Sequence, residues 1–167
     1  MEIHARTTLD LRTCKALYRA VNRVKPAVGI GIFAVLTAYF VIGSFGNRED
    51  IPLAIISGAM LVLLLVLTFL GPKRSYNQLG KARDCVSEFV FYDDRFCVST
   101  KFEGHDSSSE ISYPNIEKVI ETKEFFFIFQ TKRSVFSVEK ASIEGGTAEQ
   151  LGAVLFNAVG KNYVVKK

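Results

Sequence analysis

Two long uncharged runs dominate this chain: PAVGIGIFAVLTAYFVIGSFGN at Pro26–Asn47 and IPLAIISGAMLVLLLVLTFLGP at Ile51–Pro72. Each run is as long as the ~20 residues that an α-helix needs to cross the hydrocarbon core of a bilayer. Only Arg48–Asp50 separates them, so two such helices must lie antiparallel beside each other. We therefore predict a transmembrane helical hairpin over residues 26–72, with helices at about 27–46 and 51–71.

Basic residues flank the outer ends of the hairpin, whereas its turn holds only Arg48, next to two acidic residues. Because lysine and arginine near the ends of spans stay on the cytoplasmic side, both termini are predicted to be cytoplasmic. The flanking residues are Arg19, Arg23 and Lys25 before the hairpin, and Lys73, Arg74, Lys81 and Arg83 after it.

The spans contain small residues but no ionisable side chain. Ala27 and Gly31 in the first run, and Ala54 and Gly58 in the second, have the spacing that lets helix backbones approach closely. This spacing serves contact within the hairpin or between two copies of the chain. Ion and proton paths in membranes usually need an ionisable group, which argues against a transporter or channel acting alone.

The overall charge is basic, with 21 lysine and arginine residues against 17 acidic residues and a pI near 9.0. The excess lies in the first 25 residues, next to the hairpin, where orientation and lipid attraction explain it. We therefore predict no nucleic-acid partner. Cys14, Cys85 and Cys97 are an odd number without metal-type spacing, which favours reduced thiols in the cytosol.

Residues 1–25 are predicted to form a basic amphipathic arm. Thr7 and Asp10 resemble a capping box at the start of a helix. The helix lies either on the inner leaflet or on the folded domain that follows the hairpin. Its apolar positions are Leu11, Cys14, Tyr18 and Val21, and the cations of the neighbouring face are Arg12, Lys15, Arg19 and Arg23.

After a basic linker at 73–83, the pattern changes to short β-rich runs divided by turn residues, as in an antiparallel meander. Thr147 and Gln150 then form a capping box before an apolar helical stripe that Gly160 ends. A strongly bent sheet closed by this helix is predicted over 84–162, with a tail at 163–167. The predicted strands are Val86–Tyr92, Arg95–Phe102, Ser109–Ser112, Ile116–Thr122, Glu124–Gln130 and Val135–Lys140, with a turn at Gly104–Ser108.

Three blocks resemble the YcxB-like proteins: FYDD at Phe91–Asp94, ISYPNI at Ile111–Ile116 and VIETKEFFF at Val119–Phe127. That family comprises bacterial membrane proteins with two spans and a C-terminal domain similar to pleckstrin-homology (PH) folds. The resemblance implies an α+β protein of the bacterial cytoplasmic (inner) membrane, with a transmembrane hairpin followed by a cytoplasmic PH-like bent antiparallel sheet or barrel and a C-terminal helix. It implies no activity.

The polar residues offer no recognisable catalytic or metal-binding pattern. His4 and His105 are isolated, and Ser107–Ser109 lacks the turn of a nucleophile elbow. Gly145–Gly146 lacks the lysine and hydroxyl residue of a phosphate-binding loop. We therefore expect a protein that is not an enzyme and that binds no cofactor or metal.

The block FFFIF at Phe125–Phe129 places apolar side chains on both faces of a strand. It serves core packing or a docking face for a partner. Basic residues lie around it, with Glu117, Glu121 and Glu124 interleaved, so the rim is either merely solvated or an anionic-headgroup site. The candidate face consists of Lys118, Lys123, Phe126, Ile128, Lys132 and Arg133.

The sequence therefore predicts a non-enzymatic, membrane-anchored module that binds a protein partner or anionic lipid on the cytoplasmic face and acts as a scaffold or regulator. Its expected partners are membrane lipid and either another protein or a second copy of the chain. The alternatives are an immunity-type protein that neutralises a toxin and an accessory subunit of a membrane transport complex.

Overall fold

The computed structural model describes residues 2–22, 25–46, 48–80, 83–102 and 105–166. Arg23, Lys81 and Gly104, which entered the predictions above, lie outside these residues. Two long apolar helices are followed by β-sheets and a C-terminal helix, which confirms the predicted α+β class in this coarse form. The elements are β1 (Ile3–Thr8), α1 (Leu11–Asn22), α2 (Lys25–Ser44), α3 (Asp50–Gln78), β2 (Val86–Phe91), β3 (Arg95–Phe102), β4 (His105–Ser112), β5 (Lys118–Glu121), β6 (Phe125–Phe129), β7 (Val135–Glu139), α4 (Ala148–Val159) and β8 (Tyr163–Val165).

Helices α2 and α3 pack against each other as a hairpin and are long and apolar enough to cross a membrane. Their apolar windows have mean hydropathies of 2.0 and 2.8. Hardly any of either window is buried inside the protein, unlike the core helix of a soluble domain. Side chains such as Tyr39, Ile42 and Phe69 are each at least 70% exposed.

Helix α3 continues through Pro72 to Gln78, so the linker predicted to start at residue 73 is wrong for its first six residues. Proline removes one backbone hydrogen bond, and helices tolerate that where neighbouring elements support the turn. Here α1 packs against α3, and Pro72 is buried. Gly71 allows the close approach, because a Cβ at this position would lie 2.7 Å from the Tyr18 hydroxyl oxygen.

The strands form two four-stranded sheets, ordered β1-β2-β3-β4 and β7-β6-β5-β8. Strand β1 precedes the hairpin, yet it pairs antiparallel with β2, which follows it, placing Ile3 opposite Phe91. The helical hairpin is therefore an insertion within the β domain. The prediction that residues 1–25 form an arm outside the domain is wrong for 3–8.

The predicted capping role of Thr7 is also wrong. Thr7 is buried in β1, where its hydroxyl oxygen accepts a hydrogen bond from the Glu139 backbone N–H at 2.9 Å. The cap of α1 is Asp10, whose carboxylate accepts from the Thr13 backbone N–H at 2.7 Å. A side-chain acceptor just before the first helical residue satisfies an N–H that the helix itself leaves unpaired.

Two boundaries in the β domain differ from the prediction. Strand β4 begins at His105, so 105–108 belong to a strand and not to a turn. Residues 163–165, predicted as part of a tail, form β8, which pairs parallel with β5. A three-residue strand whose partner lies more than forty residues earlier gives no signal in local sequence pattern.

Helix α4 is confirmed with its predicted caps. The Thr147 hydroxyl accepts from the Gln150 N–H at 3.2 Å, and the Gln150 side chain accepts from the Thr147 N–H at 2.9 Å. The helix ends at Val159, and Gly160 follows with a φ of 52°. Leu151 and Leu155 are fully buried in the main core, together with residues from both sheets.

Candidate functional site

Strand β6 has apolar side chains on both faces, and both faces are covered. Phe126 and Ile128 are 0% exposed in the main core. Phe125 and Phe127 point the other way and pack, with Ile120, against Ala20 of α1. Core packing therefore accounts for the FFFIF block. The hypothesis that Phe126 and Ile128 contribute to a docking face is wrong, because neither side chain reaches the surface.

Helix α1 docks on the sheet that contains β6, which is one of its two predicted placements. Ala16, Leu17 and Ala20 pack on the outer face of that sheet. The Arg12 guanidinium donates to Glu124 at 2.8 Å and to Glu139 at 3.1 Å. The hydrogen bond and charge of Glu124, then the charge of Glu139, raise the pKa of Arg12. Arg12 is therefore engaged with the domain.

Two cavities flank the C-terminal part of α1, and we call them together the basic groove. The first cavity, about 420 Å³, lies between α1 and the β5–β6 turn and is lined by Arg19 and Lys123. The second, about 400 Å³, lies beyond the end of α1 and is lined by Lys118 and Lys132. Lys166 lines both cavities.

Lys166 is fixed in place between the two cavities. Its backbone N–H donates to the Glu121 carbonyl at 2.7 Å, which extends the pairing of β8 with β5. Its Nζ donates to the Ala20 carbonyl oxygen at 2.6 Å, close to the end of α1. A cation at this end of a helix satisfies a carbonyl group without an intrahelical partner and matches the negative end of the helix dipole.

The acidic residues interleaved with these cations are mostly engaged elsewhere. Glu124 is held by Arg12, as described above. Glu121 accepts from Lys140 Nζ at 2.5 Å and from the Tyr163 hydroxyl at 2.6 Å. Burial raises the pKa of Glu121, but the hydrogen bonds from Lys140 and Tyr163 outweigh it, so its pKa is lowered. Glu117, which lines the second cavity, is exposed.

The groove cations differ from Arg12 and Lys140 in having no acidic partner in the described part of the chain. Within the described ranges, no ion pair engages Arg19, Lys118, Lys123 or Lys132. The structure therefore places Lys118, Lys123 and Lys132 of the predicted face beside Arg19 of the predicted arm. Arg133 and Lys15 are exposed but line neither cavity, and Arg23 lies outside the described residues.

The residue that sequence reasoning missed is Lys166, which was placed in the tail. No local signal marks it, since its position depends on the parallel pairing of β8 with β5. Across the described part of the chain, no three His, Cys, Asp or Glu residues form a cluster that would hold a metal ion. The chemistry that this groove offers is therefore the binding of an anion by cations.

The two blocks FYDD and ISYPNI are structural. Phe91 is buried opposite Ile3, and Tyr113 is buried with its hydroxyl donating to the Tyr92 carbonyl at 2.7 Å. Burial, and then the nearby charges of Asp93 and Asp94, raise the pKa of Tyr113 to about 12. This bond ties the corner after β4 to the turn between β2 and β3.

The fold and the groove define an α+β domain with an inserted apolar hairpin and a basic surface site. Residues 91–155, from the end of β2 into α4, match the family model described as YcxB-like protein. The resemblance is thereby confirmed over that range, while β1, α1 and the hairpin precede it. Comparisons with curated proteins and with solved structures give no match.

The Glu121–Lys140–Tyr163 cluster predicts a pH dependence of stability. The pKa of Glu121 is lowered in the folded state. Its contribution to the free energy of unfolding is therefore full above the unfolded-state pKa, near 4.3, and is lost as pH falls through the folded-state pKa. We expect Glu121→Gln to cost about 1–3 kcal/mol at pH 7 and to flatten the acid side of the stability curve. Denaturant unfolding across pH 3–7 measures both effects.

The matched control is Glu110→Gln, whose side chain is 57% exposed and pairs with Arg95 on the surface. It should leave the acid slope in place and change stability by less than about 1 kcal/mol. If stability of the Glu121→Gln variant fell with acid as steeply as in the wild-type chain, Glu121 would not be the source of this pH dependence.

Proposed function

We propose that this protein is a non-enzymatic, membrane-anchored module whose PH-like domain holds anionic lipid headgroups in the basic groove on the cytoplasmic face of a bacterial membrane. The hairpin of α2 and α3 is the anchor. Its length, hydropathy and lack of burial support insertion. Two sheets closed by the C-terminal helix α4 support the likeness to PH folds.

The pairing of β1 with β2 supports the placement of both termini on the same side of the membrane. One strand enters the hairpin and the other leaves it, so a hairpin that crosses the bilayer twice returns the chain to the sheet it left. The positive-inside rule makes that side the cytoplasm. Lys73 and Arg74, exposed in α3 just beyond its apolar run, fit this orientation.

The basic groove lies close to the proposed membrane surface. Ala20, which contacts Lys166, is five residues before the start of α2 at Lys25. Five residues span at most about 18 Å, so the groove is within reach of the headgroup layer. Cations near an anionic leaflet each contribute about 1 kcal/mol to lipid attraction.

The observation that carries the proposal is the separation of charges around the groove. Arg12 pairs with Glu124, and Lys140 pairs with Glu121. Arg19 and Lys123, beside the anchored Lys166, have no ion-pair partner among the described residues. An ordinary mixed-charge surface would pair these cations with the neighbouring carboxylates. Here Glu121 and Glu124 already have partners, so Arg19 and Lys123 are available to a phosphate group.

The test is lipid selectivity of the full chain purified in mild detergent, titrated with labelled phosphatidylglycerol or phosphatidylcholine. Arg19→Gln combined with Lys123→Gln should weaken phosphatidylglycerol binding about thirtyfold, since two cations that each contribute about 1 kcal/mol are removed. Phosphatidylcholine binding should not change. Retained selectivity in this variant would refute the groove as the site.

The matched control is Lys15→Gln combined with Lys161→Gln, which removes the same charge from two exposed positions that line neither cavity. It should keep nearly all of the selectivity. An equal loss in both variants would mean that overall charge, and not the groove, attracts the lipid. A wild-type chain that prefers a co-purifying protein and shows no lipid selectivity would favour a protein partner.

A further inference from the structure

The basic groove is divided into two parts of similar size, and each has its own cations. Arg19 and Lys123 belong to the first cavity, and Lys118 and Lys132 to the second. At about 420 and 400 Å³, each cavity is in the range of small-molecule sites. A headgroup with one phosphate would occupy one cavity and leave the cations of the other unused.

Lys166 connects the two cavities. An ammonium group has three donors, and one is engaged by the Ala20 carbonyl. The other two are available to phosphate oxygens on either side. Because the Lys166 backbone is also held by Glu121, the charge stays between the cavities instead of moving with a free tail.

The surroundings favour a lipid over a soluble ligand. Val21, which lines the second cavity, is apolar and 48% exposed, and it lies four residues before α2. An acyl chain or glycerol backbone entering from the bilayer would cover this side chain. A soluble anion would leave it in water.

Resting on the proposed function, we infer that the basic groove selects a phospholipid whose headgroup carries two phosphate groups. One phosphate lies in the first cavity and the other in the second, with Lys166 between them. Two carboxylates line the groove among the described residues. Glu124 in the first cavity is paired with Arg12, whereas Glu117 in the second cavity has no cation partner there, so the second phosphate is held less strongly than the first.

The experiment compares cardiolipin, with two phosphates, with phosphatidylglycerol, with one, at equal total phosphate. Full-length protein in mild detergent is titrated with each lipid, and the ratio of the two affinities is measured. The wild-type chain should prefer cardiolipin at least tenfold. Lys118→Gln combined with Lys132→Gln should bring the ratio close to one while keeping the preference for phosphatidylglycerol over phosphatidylcholine.

Arg19→Gln combined with Lys123→Gln should also lower the ratio, and in addition weaken phosphatidylglycerol binding. Combining the four substitutions should lower the affinity for cardiolipin by less than the product of the two separate fold-changes. The two phosphates belong to one lipid, so each one's binding depends on the other's. An affinity ratio near one in the wild-type chain, with selectivity for anionic lipid kept, overturns this inference but not the proposed function. No selectivity for anionic lipid overturns both.

Competition with inorganic pyrophosphate tests whether the groove binds a lipid or a soluble diphosphate. At the concentration at which cardiolipin saturates the protein, pyrophosphate should not displace the bound lipid. Displacement at that concentration would assign the groove to a soluble diphosphate and overturn the lipid assignment. Unchanged near-ultraviolet circular dichroism of each variant shows that the domain is folded.

Discussion

Replacing Ile3 with Asp is expected to unfold a domain most of whose residues follow position 84. Ile3 is 1% exposed and lies opposite Phe91 in the main core. An unpaired carboxylate there costs several kcal/mol, because no described cation lies in this apolar cluster. The loss is comparable with the total stability of a typical domain, about 5–15 kcal/mol. Ile3→Ala should cost about 2–5 kcal/mol, because it removes buried apolar surface and leaves a cavity in the core.

The control is His4→Asp on the same strand. Its side chain is 53% exposed on the opposite face, with Nε2 3.5 Å from the exposed Glu2 carboxylate, and its backbone N–H and C=O bond to Glu144. We expect a change within about 0.5 kcal/mol, as for most surface substitutions. Guanidinium unfolding of the full chain in detergent, followed by near-ultraviolet circular dichroism, measures both. If Ile3→Asp were as stable as His4→Asp, β1 would not belong to the domain.

This placement of β1 has a consequence for how the domain assembles. The first sheet needs a strand from each end of the hairpin, so it is completed only when both ends are on one side. Helix α1 then lies between the domain and α3: Ala20 packs on the sheet, and Tyr18 contacts Gly71. The proposed anchor and the domain are thus joined by packing as well as by chain connectivity.

The sequence predicted the elements whose signals are local. The hairpin follows from two apolar runs, β3 from its β-rich run, and α4 from its capping box and stripe. It did not predict β1, whose alternation includes the polar Thr7 on the buried face and whose partner lies about 80 residues away. It also predicted that the second helix ends at about residue 71, before Pro72, because the support from α1 that lets α3 continue is a tertiary contact.

The site was predicted only in part, for a similar reason. The sequence predicts Lys118, Lys123 and Lys132 as site residues because they flank the FFFIF block. Their neighbours Glu121 and Glu124 argue against an anion site in the sequence, but in the structure Lys140 and Arg12 hold these two carboxylates. Which carboxylate has a partner depends on contacts between distant parts of the chain, such as Arg12 with Glu124, and no spacing rule reveals them.

Phe126→Ala is expected to lower the free energy of unfolding by about 3–5 kcal/mol, while Phe156→Ala lowers it by less than about 1 kcal/mol. Phe126 is 0% exposed, and Lys140 Nζ lies 4.6 Å from its ring centroid. Truncation leaves a cavity in the main core and removes a contact of the lysine that holds Glu121. Phe156 is 55% exposed and, among the described aromatic rings, contacts only Tyr163, in a T-shaped arrangement.

The pair removes the same side chain from a buried and an exposed position, so the difference between the two measures burial. Guanidinium unfolding of both variants gives that difference, and equal losses would mean that Phe126 is not in the core. The result also decides how binding experiments must be designed. A substitution at Phe126 would weaken the binding of any ligand by destabilising the domain, whereas exposed Arg19 and Lys123 can be changed with the core intact. Selectivity lost on changing these two cations therefore reports on the groove itself.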